Sequence, residues 1–199
     1  MAKALRLGCS IWRCGALVDA QGIHGSVYKQ VPSKIARHQA INDVIARAIT
    51  AAGVPITKQP VGLTRLDCKR PDRLTLIPWQ GGKPLTWDVM VVSTLADSYL
   101  HSKSHSASSA AETASVRKES KYSSLPPDFI FQPVATETLG PLNASALNYL
   151  SEVGRRLTSL SGDSCETLFL FQHLSMIIQH LNFALIMDSF CSTDEDPDL

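Results

Sequence analysis

A glycine pair between two β-rich runs limits the possible folds more than any other part of this sequence. Residues 74–77 and 85–92 are rich in β-branched and aromatic side chains, and Gly81 and Gly82 lie between them. Glycine adopts the positive φ angles that tight hairpin turns require, and the flanking residues favour strands. The pattern therefore predicts an antiparallel hairpin.

Each arm of this expected hairpin is associated with one aspartate. Asp72 ends the segment Lys69-Arg70-Pro71-Asp72 just before the first run, and Asp88 lies within the second run. Pairing of the arms would bring the two carboxylates close together, where they favour a divalent cation that prefers oxygen ligands, typically Mg²⁺. Such an ion activates water for phosphodiester hydrolysis. The simpler alternative is one turn residue and one edge charge that share no metal.

Positive charge is concentrated near these aspartates, although the chain carries a formal net charge of only +1. Residues 162–199 hold seven acids and no Lys or Arg, so residues 1–161 carry +8. Nine Lys or Arg lie within residues 29–73, beside three Asp. A basic body suits a polyanion such as DNA, although a solvated helix face explains part of the pattern equally well. The acidic tail at 191–199 is expected to aid solubility.

The length and composition predict one globular core with a small N-terminal appendage, since 44% of the 199 residues are hydrophobic. Residues 1–31 read as a loop-rich knuckle that carries Cys9, Cys14 and His24. This trio suggests zinc, but a structural zinc site needs four ligands. The five scattered cysteines and the lack of a signal peptide indicate a nuclear or cytoplasmic protein that is not secreted.

Spacing and turn residues predict the remaining elements. The helix with the clearest period covers residues 33–52 and stops at Gly53, and a strand is expected over 55–63. Further helices are expected over 112–125, 143–160 and 165–190, with a strand over 129–135. The last helix is long enough to raise the question of a membrane span, but its five polar residues favour a docked helix and no membrane partner. This order of elements predicts an α/β or α+β fold with a small mixed sheet.

Five motifs occur in an order that resembles a known nuclease family. They are the Cys/Cys/His trio, Arg37-His38 with Asn42 on a helix, Lys69-Arg70-Pro71-Asp72, Asp88 on the next strand, and Lys118-x-x-Lys121-Tyr122. Over most of its length the chain resembles the restriction-like endonuclease domain of non-LTR retrotransposon polyproteins, which belongs to the PD-(D/E)xK superfamily. The resemblance implies a restriction-endonuclease-like core over residues 32–190, preceded by a degenerate zinc knuckle over residues 1–31.

The resemblance also implies roles for individual residues. Asp72 and Asp88 would hold the Mg²⁺ or Mn²⁺ used to nick target DNA. Lys121, or less favourably Lys118, would orient or deprotonate the attacking water, because Met90 occupies the position where the wider superfamily carries its lysine.

Basic and polar neighbours would then contact DNA. Arg37, His38 and Asn42 would face phosphates or support the site, while Lys69 and Arg70 would position the DNA backbone without reading its sequence. For His38, the alternative is an ordinary core histidine whose hydrogen bonds are satisfied.

The sequence departs from the family pattern in ways that bear on activity. Tyr28 stands where a fourth zinc ligand is expected, so zinc affinity should be weak, and Gln59 stands where relatives tend to carry Glu. No Tyr/Phe-x-Asp-Asp polymerase motif is present, so the chain resembles a detached C-terminal fragment of such a polyprotein. Two functions remain open: a metal-dependent nicking endonuclease, or a catalytically inactive relic that binds DNA or a partner. Neither implies a small-molecule substrate.

Overall fold

The computed structural model describes residues 32–64, 70–93 and 108–189. Several predicted features lie outside these residues: Cys9, Cys14, His24 and Tyr28 of the knuckle, Lys69, and the acidic tail at 191–199. The described residues form a mixed α/β structure with four α-helices and a four-stranded mixed sheet, as the order of elements predicted.

Three strands follow the first helix, and the fourth strand lies between later helices. In order they are α1 (Pro32–Ala51), β1 (Ile56–Lys58), β2 (Arg73–Thr75), β3 (Leu85–Val92), α2 (Ser109–Lys121), β4 (Ile130–Glu137), α3 (Ala144–Ser161) and α4 (Glu166–Ser189). The sheet has the order β1-β2-β3-β4. Strands β1, β2 and β3 are antiparallel neighbours, whereas β3 and β4 are parallel. Helix α2 lies in the β3–β4 connection, since parallel neighbours need a crossover.

The predicted hairpin is present, with its turn at the glycine pair. Gly81 and Gly82 have φ angles of +57° and +76°, and they separate the bridged residues Gln80 and Lys83. The first arm is shorter than expected. It ends at Thr75, whose hydroxyl oxygen accepts the backbone N–H of Leu85 at 2.9 Å and so replaces the next ladder bond.

Two other predicted boundaries were wrong. The strand expected over 55–63 ends at Lys58, because Gln59 takes a positive φ of +45° and Pro60 offers no N–H. A short 3₁₀-helix, Val61–Leu63, follows it. The helix expected over 112–125 begins three residues earlier and ends at Lys121. Its early start follows from the Glu137 carboxylate, which accepts the N–H groups of Ala110 and Ala111.

Strand β3 separates two packing layers because its side chains alternate between the two faces of the sheet. Leu85, Trp87 and Val89 belong to the main core, which they share with α1, α3 and α4. Met90 and Val92 face the other way and pack against small residues of α2 and β4, namely Ala111, Ala114 and Ala135. Asp88 therefore lies on the α2 side of the sheet, where these small side chains allow the helix to approach.

Helix α4 docks through one face only. Leu170, Leu174 and Ile178 are buried in the main core. The span Glu166–Met187, with mean hydropathy 1.3, is the one helix in the described residues that is long and apolar enough to cross a membrane. A single helix of this kind is a weak indication of a membrane protein, because core helices of soluble proteins pass the same test.

Helices α3 and α4 approach each other closely at Gly154. A Cβ atom at this position would lie 2.4 Å from Thr167 Oγ1 and 2.7 Å from Thr167 Cα. The second of these atoms belongs to the backbone, so a larger residue would force α4 away from α3.

Replacing Gly154 with alanine is therefore expected to destabilise the protein. Overpacking costs about 1–3 kcal/mol, which outweighs the roughly 1 kcal/mol gained from helix propensity. We expect Gly154→Ala to lower the free energy of unfolding by up to about 2 kcal/mol in a urea titration. Gly62→Ala is the matched control, since no atom lies within 4 Å of a Cβ there. Equal stability of the two variants would contradict this account of the contact.

Candidate active site

Asp72 and Asp88 lie opposite each other on the two arms of the hairpin. Arg73 pairs with Trp87 and Leu74 with Thr86, so extending the register by one residue places Asp72 against Asp88. The backbone of Asp72 is held on both sides: its N–H donates to the Trp87 carbonyl at 3.0 Å, and its carbonyl accepts Gln59 N–H at 2.8 Å. The predicted proximity of the two acids is present in the fold.

One oxygen of the Asp72 carboxylate accepts three hydrogen bonds. Its Oδ2 accepts the Val89 backbone N–H at 2.7 Å and Asn42 Nδ2 at 2.9 Å, and it lies 3.1 Å from His38 Nε2. Burial acts to raise the pKa of Asp72, but the hydrogen bonds and the charge of His38 together lower it. The hydrogen bonds that the described residues donate to this carboxylate all reach Oδ2.

The side-chain amide of Asn42 holds the Asp72 carboxylate in position. Its Oδ1 accepts the indole N–H of Trp87 at 3.1 Å, while its Nδ2 donates to Asp72. Trp87 is fully buried and Asn42 is 4% exposed. A buried indole N–H requires an acceptor, so the two bonds together determine the orientation of the Asn42 amide and of the carboxylate above it.

His38 lies one helical turn before Asn42 and completes the contacts to Asp72. Its hydrogen bond to Asp72 raises the pKa of His38, and this effect exceeds the opposing effect of burial. The side chain is 38% exposed, so it is not the enclosed core histidine of the simpler interpretation. A protonated His38 forms an ion pair with Asp72, and a neutral His38 offers a ring nitrogen to a metal.

Asp88 is paired with a lysine from helix α2. Lys118 Nζ donates to Asp88 Oδ1 at 2.8 Å, and the Asp88 side chain is only 6% exposed. Met90 occupies the same strand face two residues on and lines the same cleft. Helix α2 thus brings a lysine ammonium to the second acid, on the strand face where Met90 supplies none.

Three potential metal ligands converge at this point. The ligand atoms of His38, Asp72 and Asp88 all lie within 4.8 Å of one another. One cation with ligand distances of about 2.0–2.6 Å can contact atoms separated by that distance. The two carboxylates suit Mg²⁺ or Mn²⁺, and the imidazole shifts the preference toward Mn²⁺.

A cleft of about 460 Å³ opens over these residues, and cationic side chains line it. They are Lys34, Arg37, Arg70, Lys118 and Lys121. Arg37 is buried and donates to Asn182 Oδ1 of α4 at 2.5 Å, while its Nε has no hydrogen-bond partner among the described residues. Burial lowers the pKa of Arg37. The cleft therefore combines acids at its base with positive charge along its walls.

Arg70 and the two lysines of α2 are held by their neighbours. Arg70 donates to Gln59 Oε1 at 2.5 Å, so Gln59 orients an arginine of the cleft. Lys121 Nζ lies 5.4 Å from the centroid of the Tyr122 ring, and Lys118 Nζ lies 5.9 Å from it. Between these lysines, the hydrogen bond to Asp88 favours Lys118 for the role that the sequence assigned first to Lys121.

The structure thus brings together most of the residues expected at the site. Asp72, Asp88, His38, Asn42 and Lys118 form one connected group, and Arg37, Arg70 and Lys121 line the cleft above it. Two contributors were missed: Trp87, which anchors Asn42, and Glu137, which fixes the start of α2. The i, i+4 spacing of His38 and Asn42 on one helix is a signal that could have shown His38 to be a ligand candidate.

Neither a scan against known protein families nor a search of curated proteins finds a match for this chain.

The ion pair between His38 and Asp72 predicts a pH-dependent stability. The raised pKa of His38 stabilises the fold below about pH 6.5, and this contribution is lost as the pH rises through the folded-state pKa. The lowered pKa of Asp72 stabilises the fold above about pH 4 and is lost as the pH falls. Both contributions therefore coincide between about pH 4 and pH 6.5.

We expect His38→Gln to lose more stability relative to the wild type at about pH 5.5 than at about pH 8.5, as measured by urea unfolding without metal. His180→Gln removes an exposed histidine of α4 and serves as the control. A wild-type advantage that stays constant across this pH range would show that the pair contributes no charge-dependent stability.

Proposed function

We propose that this protein is a metal-dependent DNA endonuclease with a restriction-endonuclease-like core, of the kind found in non-LTR retrotransposons. The observation that carries the proposal is the convergence of His38, Asp72 and Asp88 within 4.8 Å, with Lys118 bonded to Asp88. Two acids and a lysine at the base of a cationic cleft are the groups that hydrolysis of a phosphodiester needs.

The donor set fits a divalent cation. Asp72 presents its Oδ1 because its other oxygen is occupied by the three donors described above. Asp88 is buried and pairs with the flexible Lys118 side chain, which can withdraw toward the cleft. Asp72, Asp88 and a neutral His38 would hold Mg²⁺ or Mn²⁺, which when bound promotes the ionisation of water and offsets charge on the phosphate.

The chain's own residues supply positioning and proton transfer. Lys118 lies close enough to Asp88 to donate a hydrogen bond to a water molecule at the base of the cleft, and to stabilise negative charge there. The contacts of Asn42 and Val89 keep the Asp72 carboxylate in one orientation, so little reorganisation is needed when substrate binds.

The cleft walls suit the phosphates of a nucleic acid. Arg37, Arg70 and Lys34 line one cleft with positive charge. Contacts of this kind set the position of the DNA backbone rather than its sequence.

A nicking assay on supercoiled plasmid tests the proposal. The wild type is expected to produce open circles with Mg²⁺ or Mn²⁺ and none with a chelator. Asp88→Asn keeps the shape and the acceptor for Lys118 but removes the charge, so we expect the nicking rate to fall at least about a hundredfold. Asp43→Asn is the matched control, because this aspartate pairs with Arg73 and does not belong to the metal group.

The competing function is a DNA-binding relic without activity. The two ion pairs support it, since each acid of the site already has a cationic partner within the chain. Metal-independent nicking, or equal nicking by Asp88→Asn, would end the enzyme proposal. Retention of salt-dependent DNA binding by an inactive wild type would instead establish the relic.

The lysine assignment gives a separate prediction. Lys118→Met removes a cation that competes for Asp88, so we expect Mn²⁺ to bind roughly tenfold more tightly in calorimetry. The same change should slow nicking by about 10²–10⁴-fold, because the proton-transfer group is lost. Lys121→Met is the matched control. If that variant loses activity and Lys118→Met does not, Lys121 holds the role that the family resemblance gave it.

A further inference from the structure

Arg37 and Arg70 line the cleft, and both are held by side-chain amides rather than by carboxylates. Arg37 Nη1 donates to Asn182 Oδ1, and Arg70 Nη2 donates to Gln59 Oε1, each at 2.5 Å. An amide oxygen accepts such a hydrogen bond but carries no net charge. Each guanidinium is therefore oriented by its partner and keeps its full positive charge.

Arginines outside the cleft have a different kind of partner. Arg73 pairs with Asp43, and Arg156 pairs with Glu152. A carboxylate offsets the charge of the cation that it holds, so these arginines attract an external anion only weakly. The contrast is sharpest between Arg73 and Arg37, because both side chains are buried, at 7% and 3% exposed, and only the first has a carboxylate partner among the described residues.

The acids of the cleft do not offset the charge of Arg37 either. In the described residues they pair with other cations, Asp72 with His38 and Asp88 with Lys118. Arg37 Nε has no hydrogen-bond partner there. A buried cation without a counter-ion is costly to the fold, and an anion that enters the cleft offsets that cost. The surroundings of Arg37 therefore favour an anionic ligand.

Both amides are fixed by other parts of the fold. Asn182 Nδ2 donates to the Thr138 carbonyl, so its Oδ1 is the atom that faces α1. The backbone N–H of Gln59 donates to the Asp72 carbonyl at 2.8 Å, which places this residue beside the first acid of the site. Side chains that are held in advance lose less entropy when a ligand binds. The two cleft arginines are thus preorganised.

We propose that Asn182 and Gln59 are positioning residues that hold Arg37 and Arg70 as two binding sites for the backbone phosphates of DNA. The inference rests on the proposed function, since it takes a nucleic acid as the ligand. A guanidinium carries five N–H donors, so one of them bonds to the amide while others reach a phosphate oxygen. Such contacts position the DNA strand without reading its bases.

Exchange of each amide for the acid of the same shape tests the proposal. Gln59→Glu and Asn182→Asp keep an acceptor for each arginine but add the charge that neutralises it. We expect each variant to bind a short DNA duplex about tenfold more weakly in the presence of a chelator. The slope of log K against log salt concentration should become shallower by about one for each variant, and by about two for the double variant. Fluorescence anisotropy over a series of KCl concentrations measures both quantities.

Gln172→Glu is the matched control, because it makes the same change of charge at an exposed amide of α4 outside the cleft. Its affinity and slope should equal those of the wild type. A purely structural role for the two amides predicts wild-type slopes in every variant, since a carboxylate still accepts the arginine hydrogen bond. Wild-type slopes in Gln59→Glu and Asn182→Asp therefore overturn the proposal.

Arg37→Met covers the case in which Asn182→Asp loses helix content in circular dichroism, because the new oxygen faces the Thr138 carbonyl. The same change of about one in the slope is expected, and an unchanged slope overturns the Arg37 site.

The binding assay is independent of cleavage, so the two proposals fail separately. A wild type that nicks DNA, with amide variants that bind it normally, overturns this inference alone. Salt-dependent binding with the expected slopes by a wild type that never nicks overturns only the endonuclease. Absence of DNA binding by the wild type overturns both.

Discussion

The side-chain amide of Asn42 connects helix α1, strand β3 and the first acid of the candidate site. One end accepts the buried indole N–H of Trp87, and the other donates to Asp72. An unsatisfied indole N–H in the core costs about 1–3 kcal/mol, so this amide cannot rotate without a penalty. The position of Asp72 is therefore determined by the packing of a tryptophan on the opposite face of its neighbouring strand.

Each aspartate of the site has its own cationic partner. Asp72 has His38 as its partner and Asp88 has Lys118, and both pairs lie at the base of a cleft with further cations above. The arrangement places a cationic partner beside each of two neighbouring carboxylates, which offsets their mutual repulsion in the absence of any ion. A divalent cation entering the site would displace two internal cations, which ties its affinity to the protonation of His38.

Local chemistry in the sequence was sufficient for much of the fold. The glycine pair, the periodic apolar residues of α1 and the β-branched runs each determine their own segment, and the helix and strand types followed from them. Boundaries that depend on distant contacts were missed. Helix α2 begins where the carboxylate of Glu137, from a later strand, accepts its free N–H groups. Strand β1 ends at the positive φ of Gln59, which no local sequence pattern predicts.

The candidate site was predictable in composition but less so in geometry. The order of motifs predicted that Asp72, Asp88, His38 and the two lysines share one site. The prediction was possible because the hairpin and the following helix are close together in the sequence. The choice between Lys118 and Lys121 depends on how α2 rotates against the sheet, which the small residues Ala111 and Ala114 determine through packing. The spacing of the two lysines does not predict this rotation, because both lie on the same side of the helix.

The bond between Arg37 and Asn182 joins residues that are 145 positions apart. Arg37 belongs to the first described helix and lines the cleft, whereas Asn182 belongs to the last. During synthesis the two acids and both lysines leave the ribosome well before the residue that orients this arginine. A nascent or prematurely terminated chain would hold every acidic group of the site while one wall of its cleft remained unaligned, so the order of translation itself delays the completed cleft until the final helix has docked.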